Sequence, residues 1–330
     1  MEIANCAPII VFNYNRPSHS EQTWDALSRN IYASESDLYL YCDGPRVSAT
    51  SEQKSVIQKV HDLAQEYALK AKKERKFKNV YVVASSSNRG LAGSIIKGVT
   101  DVINQYGKVI VVEDDLVTSP FFLKYMNFAL EFYEAHPAVF CVSANRPPRN
   151  KMYIPDDYEY DVFVSLMAYS TGWATWKNRW AGVDWTMSYY EDLCKHPQQI
   201  AAFNRGGEVM MQYLSLQYAN KIDSWAIRFN YAMFSQHCVA ILPCLSYVDN
   251  IGFDGTGVHS GTNAFDFHND LTQSVANPRF LEVIYEDSRI INQFASYYAL
   301  KCLPLWKRIV NRMSRMVSGE SVFLKKKVYV

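Results

Sequence analysis

The chain has 330 residues, 48% of them hydrophobic, and a formal net charge of +1, which is enough length to bury a large core in one or two domains. The neutral balance excludes a dedicated nucleic-acid binder, which would carry a basic excess over most of its length. No apolar run approaches the roughly 18 residues of a membrane-spanning helix.

The seven cysteines (Cys6, Cys42, Cys141, Cys194, Cys238, Cys244 and Cys302) are odd in number and mostly sit in apolar segments without metal-ligand spacing. They read as reduced core residues of a cytosolic protein. The opening run Pro8 to Phe12 is too short for a signal-peptide core, so the expectation is a chain that neither crosses a membrane nor is exported.

In chain order, strand candidates are Ala7 to Phe12, Asp37 to Cys42, Val80 to Ala84, Val109 to Val112 and Val139 to Val142, each rich in Val, Ile, Tyr or Phe. Between the second and third, Val56, Val60, Leu63, Ala64 and Tyr67 fall at helical spacing and predict a helix from about Ser51 to Lys76. Its basic run from Lys70 to Lys76 reads as a solvated helix end rather than a nuclear or nucleic-acid signal. Regular alternation of strand and helix implies a mostly parallel sheet with right-handed crossovers.

In such a sheet, ligands bind beyond the carboxyl ends of the strands. The first strand ends in Asn13-Tyr-Asn-Arg-Pro17, placing Asn15 and Arg16 there; the second ends in Tyr41-Cys-Asp-Gly-Pro45. Asp43 suits a base N–H and Arg16 a phosphate or a stacked base. Asn88-Arg-Gly-Leu-Ala-Gly93 fits neither the P-loop nor the dinucleotide fingerprint, and reads as a tight entry into a helix bearing Lys97. The fourth strand delivers Glu113, Asp114 and Asp115 in succession. Adjacent carboxylates repel, and a divalent cation or a hydroxyl-rich ligand relieves the repulsion. A solvated acidic turn opening the next helix, with Thr118 and Ser119 before Pro120 as N-cap material, is the competing reading and fits these residues equally well.

After Asn145 the composition changes to Pro147-Pro148, a tyrosine-rich stretch and segments dense in Trp and Tyr. Aromatic rings with polar tips suit a carbohydrate, whose C–H face stacks while its hydroxyls take hydrogen bonds. Trp176 and Trp180 read as core. Trp173, beside Gly172, leans toward a ligand-facing role, and Tyr169, Trp173 and Trp225 are the candidates for acceptor binding.

Asn-Arg-Pro after strand one, Asp-Gly after strand two, Asn-x-Gly before a helix, a valine-rich strand into Glu113-Asp-Asp115, and Phe-Cys-Val-Ser-Ala-Asn145 come in an order that resembles the GT-A glycosyltransferases. The chain is most similar to the branch typified by N-acetylglucosaminyltransferase I and its bacterial relatives. The similarity continues in Ser170-Thr-Gly-Trp173, Ile222-Asp-Ser-Trp225 and Asn250 to His259, and covers about residues 6 to 262.

The resemblance implies a GT-A type, Rossmann-like α/β fold. Residues 1–145 would form a nucleotide-sugar-binding half, 146–275 an acceptor-binding and catalytic half of the same domain, and 276–330 a helical basic extension. It further implies that Asp43 contacts uracil, Arg16 the nucleotide and Lys97 the diphosphate. Glu113 and Asp114 would meet the donor sugar and ribose, Asp115 would ligate Mn²⁺ or Mg²⁺ with His259 as a further candidate, and Asp223 would act as catalytic base. Asp223 is equally readable as an N-cap. The chain departs from the eukaryotic relative in having Ser224 where that protein has a second Asp, and in lacking its membrane anchor, so a bacterial, cytoplasmic setting is expected.

From Leu305 to Met316 an apolar face opposes Lys307, Arg308, Arg312 and Arg315, followed by Lys325 to Lys327. Such a helix can lie on an anionic membrane surface or pack on the domain with a solvated basic face. The function expected is inverting, metal-dependent transfer from a nucleotide sugar, a UDP-sugar by resemblance, to a glycan or lipid-linked saccharide. A nucleotidyltransferase and a catalytically silent glycan- or nucleotide-binding module are the alternatives.

Overall fold

The computed structural model describes residues 3, 5–254 and 268–299. Among the described residues ten strands are formed: β1 Ile9–Asn13, β2 Asp37–Cys42, β3 Asn79–Ala84, β4 Lys108–Glu113, β5 Leu116–Thr118, β6 Val139–Ser143, β7 Val162–Ser165, β8 Trp173–Trp176, β9 Val239–Pro243 and β10 Val248–Asn250. Eight of them make one sheet in the order β3-β2-β1-β4-β8-β6-β9-β7, while β5 and β10 form an antiparallel ladder beside it. β3, β2, β1 and β4 run parallel. β8 then enters antiparallel between β4 and β6, and β7 closes the far edge antiparallel to β9.

Helices α1 (Pro17–Ser28), α2 (Ser51–Lys73), α3 (Leu91–Tyr106) and α4 (Phe122–Tyr133) make the crossovers of the first half. Both faces of the central strands are covered, because successive side chains alternate across the sheet. Ile9 and Val11 pack with Trp24, Val60 and Leu123 on the side of α1, α2 and α4; Ile10 and Phe12 pack with Ile95, Val99, Trp173, Trp180 and Trp225 on the side of α3. β3, at the edge, leaves Tyr81 and Val83 exposed.

Helix α2 begins at a capping box in which Thr50 and Gln53 satisfy each other's backbone N–H. It ends three residues before the expected Lys76, because Arg75 turns left-handed (φ 55°) and Lys76 N–H donates back to the Ala71 carbonyl at 2.9 Å. Lys70, Lys72 and Lys73 stand in its last turn, where cations complement the helix dipole.

Strand register sets the site. Asn13 pairs with Cys42, and Phe12 pairs with both Tyr41 and Glu113. The chain segments leaving β1, β2 and β4 therefore emerge at one edge of the sheet. No helix among the described residues is long and apolar enough to cross a membrane.

Candidate active site

At that edge the backbone of each loop is fixed by buried polar groups. Asn13, 3% exposed, donates to the Val11 and Tyr41 carbonyls and accepts from Trp24 Nε1 at 3.0 Å. Asp43 takes two hydrogen bonds of 3.1 Å from Arg89 N–H and one of 3.0 Å from Asn88 Nδ2, clasping the end of β2 to the 88–90 turn. Asn88 in turn accepts from Gly90 N–H at 3.1 Å. Gly90 adopts φ 74°, a conformation that favours glycine, and opens α3.

The three carboxylates at the end of β4 meet different partners. Asp114 accepts from Tyr14 N–H at 3.2 Å, and its backbone carbonyl accepts from Thr23 Oγ1 at 2.8 Å. Asp115 Oδ2 is paired with Arg16 Nη1 at 3.0 Å, while its Oδ1 is buried without a hydrogen-bond partner. Gly252 lies directly against this pair: a Cβ there would come within 2.1 Å of Asp115 Oδ2 and 2.8 Å of Arg16 Nη1. The Gly252 segment is itself tied down, since Ile251 N–H donates to the Asp115 carbonyl at 2.9 Å and Gly252 N–H to Asn250 Oδ1 at 2.8 Å.

Crowding disfavours ionisation. Burial, then Asp115 and Asp114, push Glu113 up to about 8; burial, then Asp115, push Asp114 up to about 7 against the opposing Tyr14 N–H. Asp115 is also raised, by burial, with Arg16 and His19 pulling the other way.

Asp223 arrives from far along the chain. Ser224, not Asp223, is the N-cap of the helix Trp225–Ser235, its hydroxyl accepting from Ile227 N–H at 3.3 Å. That leaves the exposed Asp223 carboxylate free of capping duty. Its Oδ2 would stand 2.9 Å from a Cβ on Gly90, so it borders the start of α3. The 88–90 turn thus has Asp43 behind it and Asp223 in front.

The remaining candidates are placed as follows. Asn15 is exposed in the β1–α1 turn. Lys97 forms an exposed 2.8 Å ion pair with Asp101 one turn along α3. Trp173 is a core ring: it is 2% exposed, stacked at 4.7 Å on Trp225, itself 4% exposed, and at 5.9 Å on Trp180. Tyr169 joins them around a depression whose cavity volume is about 0 Å³. The lean toward a ligand-facing Trp173 therefore gives way to packing. His259 lies outside the described residues, as does the basic segment after Leu305.

Among the described residues no group of three or more His, Cys, Asp or Glu side chains is arranged to hold a metal ion alone. The donor set of Asp115 nonetheless fits Mn²⁺ or Mg²⁺, hard ions that take one or two carboxylates and complete their shell with substrate phosphates and water. Its buried, unpartnered oxygen is the atom such an ion would satisfy. Sequence reasoning missed Gly252, Thr23 and the clasping role of Asn88; Asn88 and Gly252 stood inside motifs, Thr23 in none.

A mostly parallel α/β sheet with carboxylates beyond its strand ends, and an exposed carboxylate from the second half bordering the start of α3, fits the class of a GT-A glycosyltransferase. The chain belongs to the GNT-I family, whose model matches residues 1–206. Among solved structures it is similar to the crystal structure of S. aureus TarS, with a TM-score of 0.39 and 12% identity. The match covers 76% of this chain and 37% of that one.

Proposed function

We propose that the protein transfers a sugar from a nucleotide sugar, a UDP-sugar, to a hydroxyl of a glycan or lipid-linked saccharide, with inversion at the anomeric carbon. The observation that carries the reading is the Asp115 carboxylate, with one oxygen on Arg16 and one buried and unsatisfied, among crowded Glu113 and Asp114. In this reading Asp43 and the 88–90 turn take the nucleoside, Arg16 the nucleotide, and Glu113 and Asp114 the hydroxyls of ribose and donor sugar.

A Mn²⁺ or Mg²⁺ ion held by Asp115 would supply charge neutralisation for the departing diphosphate. Asp223 does the protein's own chemistry: its carboxylate takes the proton of the acceptor hydroxyl as that oxygen attacks, and the anomeric carbon–phosphate oxygen bond breaks on the opposite side. An exposed carboxylate without a capping role is free to meet an incoming hydroxyl.

Thermal unfolding with a panel of nucleotides and nucleotide sugars, with and without Mn²⁺, tests the donor site. One nucleotide class should stabilise the protein only with metal, and Asp115→Asn should abolish that shift. Absence of any shift, at concentrations well above micromolar, removes the reading.

A further inference from the structure

A second polar chamber stands beside the carboxylate site. It has a volume of about 260 Å³ and is lined by Arg146, Arg149, Ser246, His268, Asn269 and Asp270, among others. Arg146 is 4% exposed, yet it has no carboxylate partner among the described residues; its guanidinium donates to the carbonyls of Pro147 (3.1 Å), Cys244 (2.7 Å) and Met152. A guanidinium has five N–H donors, so two are left over. Burial lowers its pKa to about 10, which leaves it cationic at neutral pH. A buried charge without a counter-ion is costly and is ordinarily paired.

The walls are preorganised. Asn145 Oδ1 accepts from Arg146 N–H (2.9 Å), Ser246 Oγ (2.7 Å) and Asn269 Nδ2 (3.2 Å). Asp249 holds His268 at 2.8 Å and the Asn269 N–H at 2.8 Å. Arg149 is hydrogen-bonded to Gln273, and Asp270, the one acid of the lining, already accepts from Thr272 and Gln273. From Asp249 the chain runs through β10 to Gly252 against Asp115, about 10 Å of extended backbone. A saccharide reaching the anomeric centre therefore has this chamber within its own length.

We infer that the chamber binds the carboxylate or phosphate group of an acidic saccharide, with the unspent donors of Arg146 and the exposed head of Arg149 as its anion contacts. That this saccharide is the acceptor rests on the glycosyl-transfer reading; the anion contact rests on the chamber alone. Neutral sugars would leave the buried guanidinium uncompensated, so the site selects for charge.

Calorimetric titration of the full chain with methyl glucuronide, glucose 6-phosphate, inorganic phosphate and methyl glucoside is the test. At least one of the two acidic sugars should bind tenfold or more tightly than methyl glucoside, weaken steeply with salt, and lose tenfold or more in Arg149→Gln and in Arg146→Lys. Asp115→Asn should bind it as the native chain does, which separates this site from the donor site. A neutral sugar binding equally well, or unchanged affinity in Arg149→Gln, overturns the assignment. Inorganic phosphate matching the better acidic sugar overturns its saccharide part. Anion binding without any nucleotide-dependent stabilisation would keep the chamber's assignment while removing the transfer reading.

Discussion

Replacing Gly252 by alanine places a methyl group where the structure has none to spare. The added carbon would lie 2.1 Å from Asp115 Oδ2, 2.8 Å from Asp115 Cγ and 2.8 Å from Arg16 Nη1, the first of these about 1 Å or more short of van der Waals separation. The Gly252 backbone is pinned to Asn250 and its neighbour Ile251 to Asp115, so the side chains must yield, opening the 3.0 Å ion pair of Arg16 and Asp115. Overpacking of this size costs about 1–3 kcal/mol, a few degrees of melting temperature at this chain length. A displacement of about 1 Å in a reacting constellation costs on the order of 100-fold in rate. Gly93→Ala is the control: its Cβ would meet only Arg89 Cβ, at 3.6 Å, and inside α3 alanine gains up to about 1 kcal/mol. Melting curves with and without Mn²⁺ and nucleotide, together with initial transfer rates, read both variants. A Gly252→Ala protein that melts like the native chain and keeps its nucleotide- and metal-dependent shift would refute the close-packed cradle.

Asp223→Asn should lower kcat by about 10²- to 10⁴-fold with nucleotide-induced stabilisation unchanged; equal loss of nucleotide binding would make it a binding residue instead. In metal-free protein, Glu113 and Asp114 hold protons more tightly folded than unfolded, so their contribution to stability is full below about pH 4 and is lost as pH rises through about 7 to 8. Melting temperature should fall from pH 5.5 to 8.5 without metal, and Glu113→Gln should flatten that slope; a slope unaffected by the substitution contradicts the crowding. Trp173→Ala should cost about 3–5 kcal/mol of stability as a buried aromatic, whereas a rise in acceptor KM at native stability would return the ring to the binding site.

Much of the first half was legible because β1, β2 and β4 are buried apolar runs whose exit loops carry the polar residues, and the half-exposed β3 is still rich in Val and Tyr. Register then needs only the parallel rule to gather Arg16, Asp43 and Glu113 to Asp115 at one edge. The second half resisted for physical reasons. Nothing local in Trp173 to Trp176 says that it inserts antiparallel between β4 and β6, because pairing partners are chosen by packing across the whole sheet. Trp173 itself borders a left-handed glycine (Gly172, φ 70°), a local sign of a loop, yet its burial is decided by Trp225 and Trp180 arriving from elsewhere. Asp223 and Ser224 are both good caps, and sequence cannot fix a helix start to one residue. Gly252 carries no signal beyond being a glycine in a Gly-rich stretch.

The clasp at Asp43 has a consequence for altering donor choice. Its carboxylate holds Asn88 and the Arg89 N–H, Asn88 holds the Gly90 N–H, and Gly90 abuts Asp223. With the roles proposed for Asp43 and Asp223, nucleoside recognition and the placement of the catalytic base share one short mechanical chain. A substitution at Asp43 chosen to admit a different nucleobase would also loosen the turn that backs Asp223, so selectivity and turnover would change together. Retuning the donor would have to leave Asp43 in place and work from the other wall of the crevice.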